Sequence, residues 1–222
     1  MDVALLGKAI VGLMAGATAT AGAVYFGTDL FKEEISKRTI SSLLREKNPE
    51  RRLLTSSIET SDQAWKDAWA QYRNKNKESN PWGLKNLSKI TQDVPPDDFV
   101  SKCSFKSGLE ISDDSDPLYR EVLSYCTRDT LVSDLIVENN RTLLTSTSPS
   151  EDWQKAWEVY RTNNADKTQG KDAWQLTEWD SKKNGNTHTS DYQTKCAEKA
   201  KVKAFDLNSE VYKRVLAWCT KD

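Results

Sequence analysis

The stretch WKDAWAQYR at residues 65–73 recurs as WQKAWEVYR at residues 153–161. In each copy two tryptophans and a tyrosine occupy positions i, i+4 and i+7, which places three large aromatic rings on one face of an α-helix. A helix-capping pattern precedes each copy, at residues 60–63 and at residues 148–151. The pattern therefore predicts one amphipathic helix in each half of the chain, and these two helices decide the fold.

The aromatic faces of these helices allow two interpretations. If Trp65, Trp69 and Tyr72 were exposed, they would form a platform for a sugar or a peptide. If they were buried, they would anchor a hydrophobic core. Three large exposed aromatic side chains in a row would promote aggregation, so core packing is the favoured interpretation.

The duplication extends to both sides of the aromatic helices. Leu-Leu-Thr-Ser precedes them at residues 53–56 and 143–146, and a cysteine followed by Tyr-x-x-Val-Leu-x-x-Cys comes after them, ending at Cys126 and Cys219. Helical periodicity and cap residues predict helices throughout, with the Leu-Leu-Thr-Ser segments extended. We therefore predict an all-α body of two tandem, similar small helical units. Helical repeat 1 covers residues 39–129 and helical repeat 2 covers residues 130–222, an alignment that pairs Thr39 with Thr130.

The four cysteines are spaced equally in the two halves. Cys103 and Cys126 are 23 positions apart, as are Cys196 and Cys219. No Cys-x-x-Cys occurs and His188 is the single histidine, so a zinc site is poorly supported. Equal spacing favours one disulfide in each half, formed in an oxidising compartment. The alternative is a pair of buried free thiols in each half.

Residues 3–26 are nearly all apolar or small. At about 1.5 Å per residue, a helix of this length spans the hydrocarbon core of a bilayer. We therefore predict an N-terminal transmembrane helix, with an anchor or signal segment at residues 1–28 and a juxtamembrane linker at residues 29–38. Gly12 and Gly16 form a Gly-x-x-x-Gly pattern that would support homo-association in the membrane. The alternative is a cleaved signal peptide, although Asp2 and the lack of an early positive cluster favour an uncleaved anchor.

The sequence gives opposing indications of the side on which the body lies. Lys32, Lys37 and Arg38 follow the apolar segment, and positive charge there favours the cytoplasmic side. The paired cysteines favour the outside. Acidic residues lie among those positive charges and make the bias small, so we expect the body to be extracellular.

Composition and motifs argue against several functions. The chain has 32 basic and 33 acidic residues, a balance that gives no electrostatic basis for binding nucleic acid. His188 lies in a polar loop where its side chain is expected to be solvated, and no Ser, Cys or Asp near it has the pattern of a catalytic triad. No glycine-rich loop has a phosphate-binding form. We therefore predict a protein that is not an enzyme and has no catalytic, cofactor-binding or metal-binding residues.

Taken in order, these motifs lie behind an N-terminal segment rich in glycine and alanine. The whole string resembles the large paralogous families of short membrane-anchored proteins of haemotropic mycoplasmas, and the resemblance covers nearly the whole chain. It implies surface display, sequence variation and contact with a host-cell surface protein or an antibody, and it implies no catalytic residues. We therefore expect a membrane-anchored, surface-displayed protein of the adhesion or immune-evasion type. The alternative is an inward-facing structural scaffold of the membrane.

Overall fold

The computed structural model describes residues 37–221, and Ser36–Asp222 forms one compact unit. In the first half the elements are β1 (Arg38–Thr39), α1 (Ile40–Lys47), β2 (Arg51–Leu53), α2 (Gln63–Asn76), a 3-10 turn (Leu87–Lys89), α3 (Asp97–Ser107), β3 (Glu110–Ile111), α4 (Pro117–Tyr125) and β4 (Thr127–Asp129). In the second half they are α5 (Val132–Glu138), β5 (Thr142–Leu143), α6 (Ser150–Asn163), α7 (Trp179–Lys182), α8 (Tyr192–Ala200), α9 (Glu210–Trp218) and β6 (Thr220–Lys221).

The predicted all-α fold is wrong, because short antiparallel sheets join the helices. Strand β1 pairs with β3, β2 pairs with β4, and β5 pairs with β6. Each strand has only two or three residues, which is too short for the alternation of apolar and polar residues that marks a strand in a sequence. The structure supports a mostly helical body with small two-stranded sheets.

The transmembrane helix in the predicted fold gains no support. Within residues 37–221, no helix is both long enough and apolar enough to cross a membrane. The predicted anchor at residues 1–28, including Gly12 and Gly16, and most of the linker at residues 29–38 lie outside the described residues.

Each half has its own hydrophobic core. The first is built from residues between Ile40 and Cys126, and the second from residues between Val132 and Cys219. The aromatic faces of α2 and α6 lie inside these cores, and the exposed fraction is at most 3% for Trp65, Trp69, Tyr72, Trp153, Trp157 and Tyr160. The core interpretation is therefore confirmed and the platform interpretation is wrong.

At their N-terminal ends the two halves align one residue away from the predicted alignment of Thr39 with Thr130. The backbone N–H of Ile40 donates to Leu109, and that of Val132 donates to Val202, both at 2.9 Å. These matching bonds make Thr39 the counterpart of Leu131 and not of Thr130. The two N-terminal caps differ, because the Thr39 hydroxyl accepts from a backbone N–H of α1, whereas the Leu131 N–H donates to Asp134 at 2.8 Å.

Candidate functional site

The four predicted site residues form two disulfides, Cys103–Cys126 and Cys196–Cys219, with Cα atoms 5.4 and 5.6 Å apart. Each joins the middle of one helix, α3 or α8, to the C-cap residue directly after the next helix, α4 or α9. All four cysteines are buried and none is free, so the alternative of free thiols is wrong. The disulfides hold each half together and leave no thiol for chemistry.

His188 is half-buried against aromatic side chains, whereas the sequence suggested a solvated loop residue. Its ring centroid lies 6.1 Å from that of Trp153 and 5.7 Å from that of Tyr192. Its Nδ1 is 2.8 Å from the Thr189 carbonyl oxygen, and its Nε2 is 3.2 Å from the Gln193 amide nitrogen. Both ring nitrogens are therefore engaged by groups that do not titrate near neutral pH. Across residues 37–221, no group of three His, Cys, Asp or Glu side chains could hold a metal ion.

Thr130 joins the two halves of the compact unit. It is buried, its N–H donates to the Glu50 carbonyl at 2.9 Å, and its hydroxyl donates to the Pro49 carbonyl at 2.8 Å. Its own carbonyl accepts from the N–H of Ala204 at 3.0 Å. One buried residue therefore hydrogen-bonds to both halves and limits their relative motion.

Charged side chains surround Thr130 and connect the halves further. Arg52 donates to both carboxylate oxygens of Glu138, at 3.0 and 2.9 Å, a bidentate pair that is strong for its type. Lys203 lies 2.5 Å from Asp129, which also pairs with Arg51. A hydrogen bond from Lys203 and the nearby Arg51 hold the pKa of Asp129 below its ordinary value. Asp129 therefore stays ionised between two cations near neutral pH.

Arg128 and Asp134 form a second bidentate pair beside the first, at 2.6 and 2.7 Å. Burial acts to raise the pKa of Asp134, but hydrogen bonds from Arg128 and from the Leu131 backbone hold it below its ordinary value. The hydrogen bond to Asp134 in turn raises the pKa of Arg128. Both groups are therefore charged near neutral pH.

A cleft of about 410 Å³ lies over these pairs. Ligand sites in proteins are commonly clefts of this size. We name it the junction cleft. Its walls combine guanidinium groups, hydroxyls, carboxylates and apolar side chains: Ser41, Leu44, Arg45, Arg51, Arg52, Leu53, Thr55, Ser57, Ile58, Arg128, Asp134, Val137 and Glu138.

The charges of the junction cleft are mostly neutralised by its own residues. Arg51, Arg52 and Arg128 each pair with a carboxylate, whereas Arg45 makes no side-chain bond to any residue that the structure describes. The cleft can therefore accept one anionic group at Arg45, next to an apolar wall formed in part by the exposed Val137.

Sequence reasoning missed this cleft. Arg52 and Glu138 are 86 positions apart, so no local pattern pairs them. One indication was present: Arg52 follows Arg51 immediately before Leu-Leu-Thr-Ser, whereas Thr142 occupies the matching place in the second half. A charged residue in only one of two similar halves indicates a contact that only one half makes.

No family model, no curated protein and no solved structure matches the chain. The resemblance to surface proteins of haemotropic mycoplasmas therefore stays a prediction.

Proposed function

We propose that this protein works by contact and not by catalysis, and that its body acts outside the cytoplasm on the surface of the cell, in adhesion or immune evasion. The observation that carries the proposal is the pair of buried disulfides, because structural disulfides form and persist in oxidising compartments. Its expected partners are a host-cell surface protein or an antibody.

The disulfides also suit a body that must hold its shape without a large core. Each closes a loop of about 24 residues, which the chain-entropy model equates with about 3 kcal/mol of stability. The pairs around Thr130 fix the two halves against each other, so loops from both halves would be presented together. A fixed arrangement of loops favours contact with a partner, because less order has to be gained on binding.

Protease treatment of intact cells tests the proposal. We expect residues 39–222 to be degraded while a cytoplasmic marker protein stays intact. Protection until the membrane is broken would place the body inside the cell and favour the inward-facing scaffold. Mass spectrometry of unreduced peptides from the same cells should find Cys103 joined to Cys126 and Cys196 joined to Cys219. Four alkylatable thiols would contradict an oxidising location.

A further inference from the structure

A loop in the second half exposes large apolar side chains. In residues 202–208, which we name the apolar loop, the exposed fraction is 55% for Phe205, 47% for Leu207 and 38% for Val202. The loop joins α8 to α9 and borders a cavity of about 350 Å³ that Val211 and Ala204 also line. These side chains face solvent although they are large enough to belong to a core.

Hydrogen bonds hold the apolar loop in one shape. The Asp206 carboxylate accepts from the N–H of Asn208 at 2.7 Å, and the Asp206 carbonyl accepts from the N–H of Ser209 at 3.0 Å. Ala204 is tied to Thr130 across the junction of the halves. The side chains of Phe205 and Leu207 are therefore presented by an ordered turn.

The first half contains the same turn with polar residues at its tip. There the Asp113 carboxylate accepts from the N–H of Ser115 at 2.8 Å, so Asp113 matches Asp206. Ser112 stands in the place of Phe205, and Asp114 stands in the place of Leu207. The turn itself therefore does not require apolar residues, and their presence in the second half needs another reason.

The charges around the two turns also differ. Residues 199–213 contain four lysines and two carboxylates, a formal charge of +2, whereas the matching residues 106–120 contain one lysine, one arginine and four carboxylates, a formal charge of −2. Lys201 is exposed and makes no side-chain bond to any residue that the structure describes. The apolar tip thus belongs to a segment of net positive charge, whereas the matching tip of the first half belongs to a segment of net negative charge.

We propose that the apolar loop docks onto a lipid bilayer with anionic headgroups. Phe205 and Leu207 would enter the boundary between headgroups and acyl chains, and Lys201 would lie among the headgroups. The size of the patch favours lipid over a protein, because two such side chains bury at most about 400 Å², below the roughly 600–800 Å² that each partner contributes to a specific protein interface. An apolar tip beside lysines is the arrangement that binds anionic membranes.

Vesicle sedimentation tests the inference with purified residues 36–222, which contain both cores and both disulfides and form one compact unit. We expect binding to vesicles of phosphatidylcholine with phosphatidylserine and weaker binding to phosphatidylcholine alone. The variant F205S/L207D introduces Ser and Asp, the residues at the matching places of the first half. It should lower the partition coefficient by about tenfold. Lys201→Gln should lower it by about fivefold, and only on anionic vesicles.

Phe105→Ser is the matched control, because it removes an exposed phenylalanine of the first half that lies outside the apolar loop. It should bind vesicles as the wild type does. Circular dichroism and unreduced mass would verify each variant's fold. The inference is overturned if the wild type ignores anionic vesicles, if it binds neutral vesicles equally well, or if F205S/L207D binds like the wild type. Equal loss in Phe105→Ser, or displacement by inorganic phosphate at matched ionic strength, would also overturn it. Because the assay uses no cells, its result is independent of the protease test.

Discussion

The two halves of the body use one hydrogen-bonded frame. The indole N–H of Trp69 donates to the carbonyl of Gln92 at 3.1 Å, and that of Trp157 donates to Gly185 at 3.0 Å. The hydroxyl of Tyr72 accepts from the backbone of the loop after α2 at 3.1 Å, and that of Tyr160 accepts from the loop after α6 at 3.0 Å. The frame thus depends on aromatic side chains that bind loop backbone, which leaves the other loop residues free to differ.

The halves differ at the residue that closes this loop. In the first half Asn80 is half-exposed and bonds the N–H and the carbonyl of Leu84, both at 2.9 Å. In the second half Asp172 is buried and accepts from the Tyr160 hydroxyl and, at 2.9 Å, from the N–H of Leu176. The same frame therefore accommodates a neutral amide near solvent in the first half and a buried carboxylate in the second half. The buried carboxylate receives a hydrogen bond from the Tyr160 hydroxyl, which the amide does not need.

The largest expected effect should be the same in both halves. Trp69→Ala and Trp157→Ala each remove a fully buried indole and its hydrogen bond to loop backbone, and each should cost about 3–5 kcal/mol in the free energy of unfolding. Urea denaturation followed by circular dichroism measures both. A loss below about 1 kcal/mol in one variant only would show that its half does not need the shared frame.

The next effect should separate the halves. Tyr160→Phe removes the phenol that donates to buried Asp172, whereas Tyr72→Phe removes a hydroxyl that accepts from the Trp82 N–H and has no hydrogen bond to any carboxylate that the structure describes. We expect Tyr160→Phe to cost about 1.5–3 kcal/mol more than Tyr72→Phe, the range for hydrogen bonds to charged groups. Adding Asp172→Asn to Tyr160→Phe should remove most of that excess, because it gives the second half the amide of the first. Equal costs for the two tyrosines would show that the hydrogen bond from Tyr160 to Asp172 adds no stability beyond the frame that both halves share.

Alkaline pH should weaken the protein through its buried tyrosines. Burial raises the pKa of Tyr192 above the ordinary 10.0. Burial and the hydrogen bond to Asp172 do the same for Tyr160. A folded-state pKa above the unfolded value gives stability that is present below pH 10.0 and is lost as pH rises toward the raised pKa.

Each such tyrosine should contribute a slope of about 1.4 kcal/mol per pH unit above its unfolded pKa. Tyr192→Phe introduces the residue that the first half has at the matching position, Phe99. It should reduce the decrease of unfolding free energy with pH by the contribution of one tyrosine. Unfolding free energies measured between about pH 8 and 11 test this. An unchanged slope in Tyr192→Phe would show that Tyr192 ionises freely in the folded protein.

The sequence predicted the parts of the fold that depend on local spacing. The aromatic helices and the cysteine pairs follow from residues four, seven or 23 positions apart, and these predictions are confirmed. The pairing into sheets was not predicted, because each strand is too short to show alternation, although β2 and β5 end at the first Leu of the two segments that were predicted to be extended. Asp172 lies between α6 and α7 in a stretch of mostly polar residues, yet it is buried, as are neighbouring Trp174 and Leu176. Burial of a polar residue depends on its neighbours' packing, which composition does not reveal.

The smallest expected effect concerns an ion pair between the halves, Arg52 with Glu138. Glu138 forms an ion pair with Arg52 of the other half, whereas its counterpart Glu46 forms an ion pair with Arg38 of its own half at 2.5 Å. At the matching place in β5, Thr142 stands where β2 has Arg52. Among the described residues, the pair with Arg52 therefore joins the two halves and has no counterpart within either half.

Arg52→Ala removes this pair and the bond from Arg52 to the Thr130 hydroxyl, leaving partly exposed Glu138 to be solvated. We expect a loss of about 1 kcal/mol in unfolding free energy, since solvent screens the pair. Thr142→Ala, the matched control in β5, should stay within about 0.5 kcal/mol of the wild type. Hydrogen exchange at the N–H groups of Thr130 and Ala204 gives a second readout. In Arg52→Ala we expect faster exchange at these two N–H groups and unchanged exchange at the backbone N–H groups of Trp69 and Trp157 in the two cores. That result would show that the pair holds the halves together without supporting either core. Uniformly faster exchange would contradict that division and make the two halves a single cooperative unit.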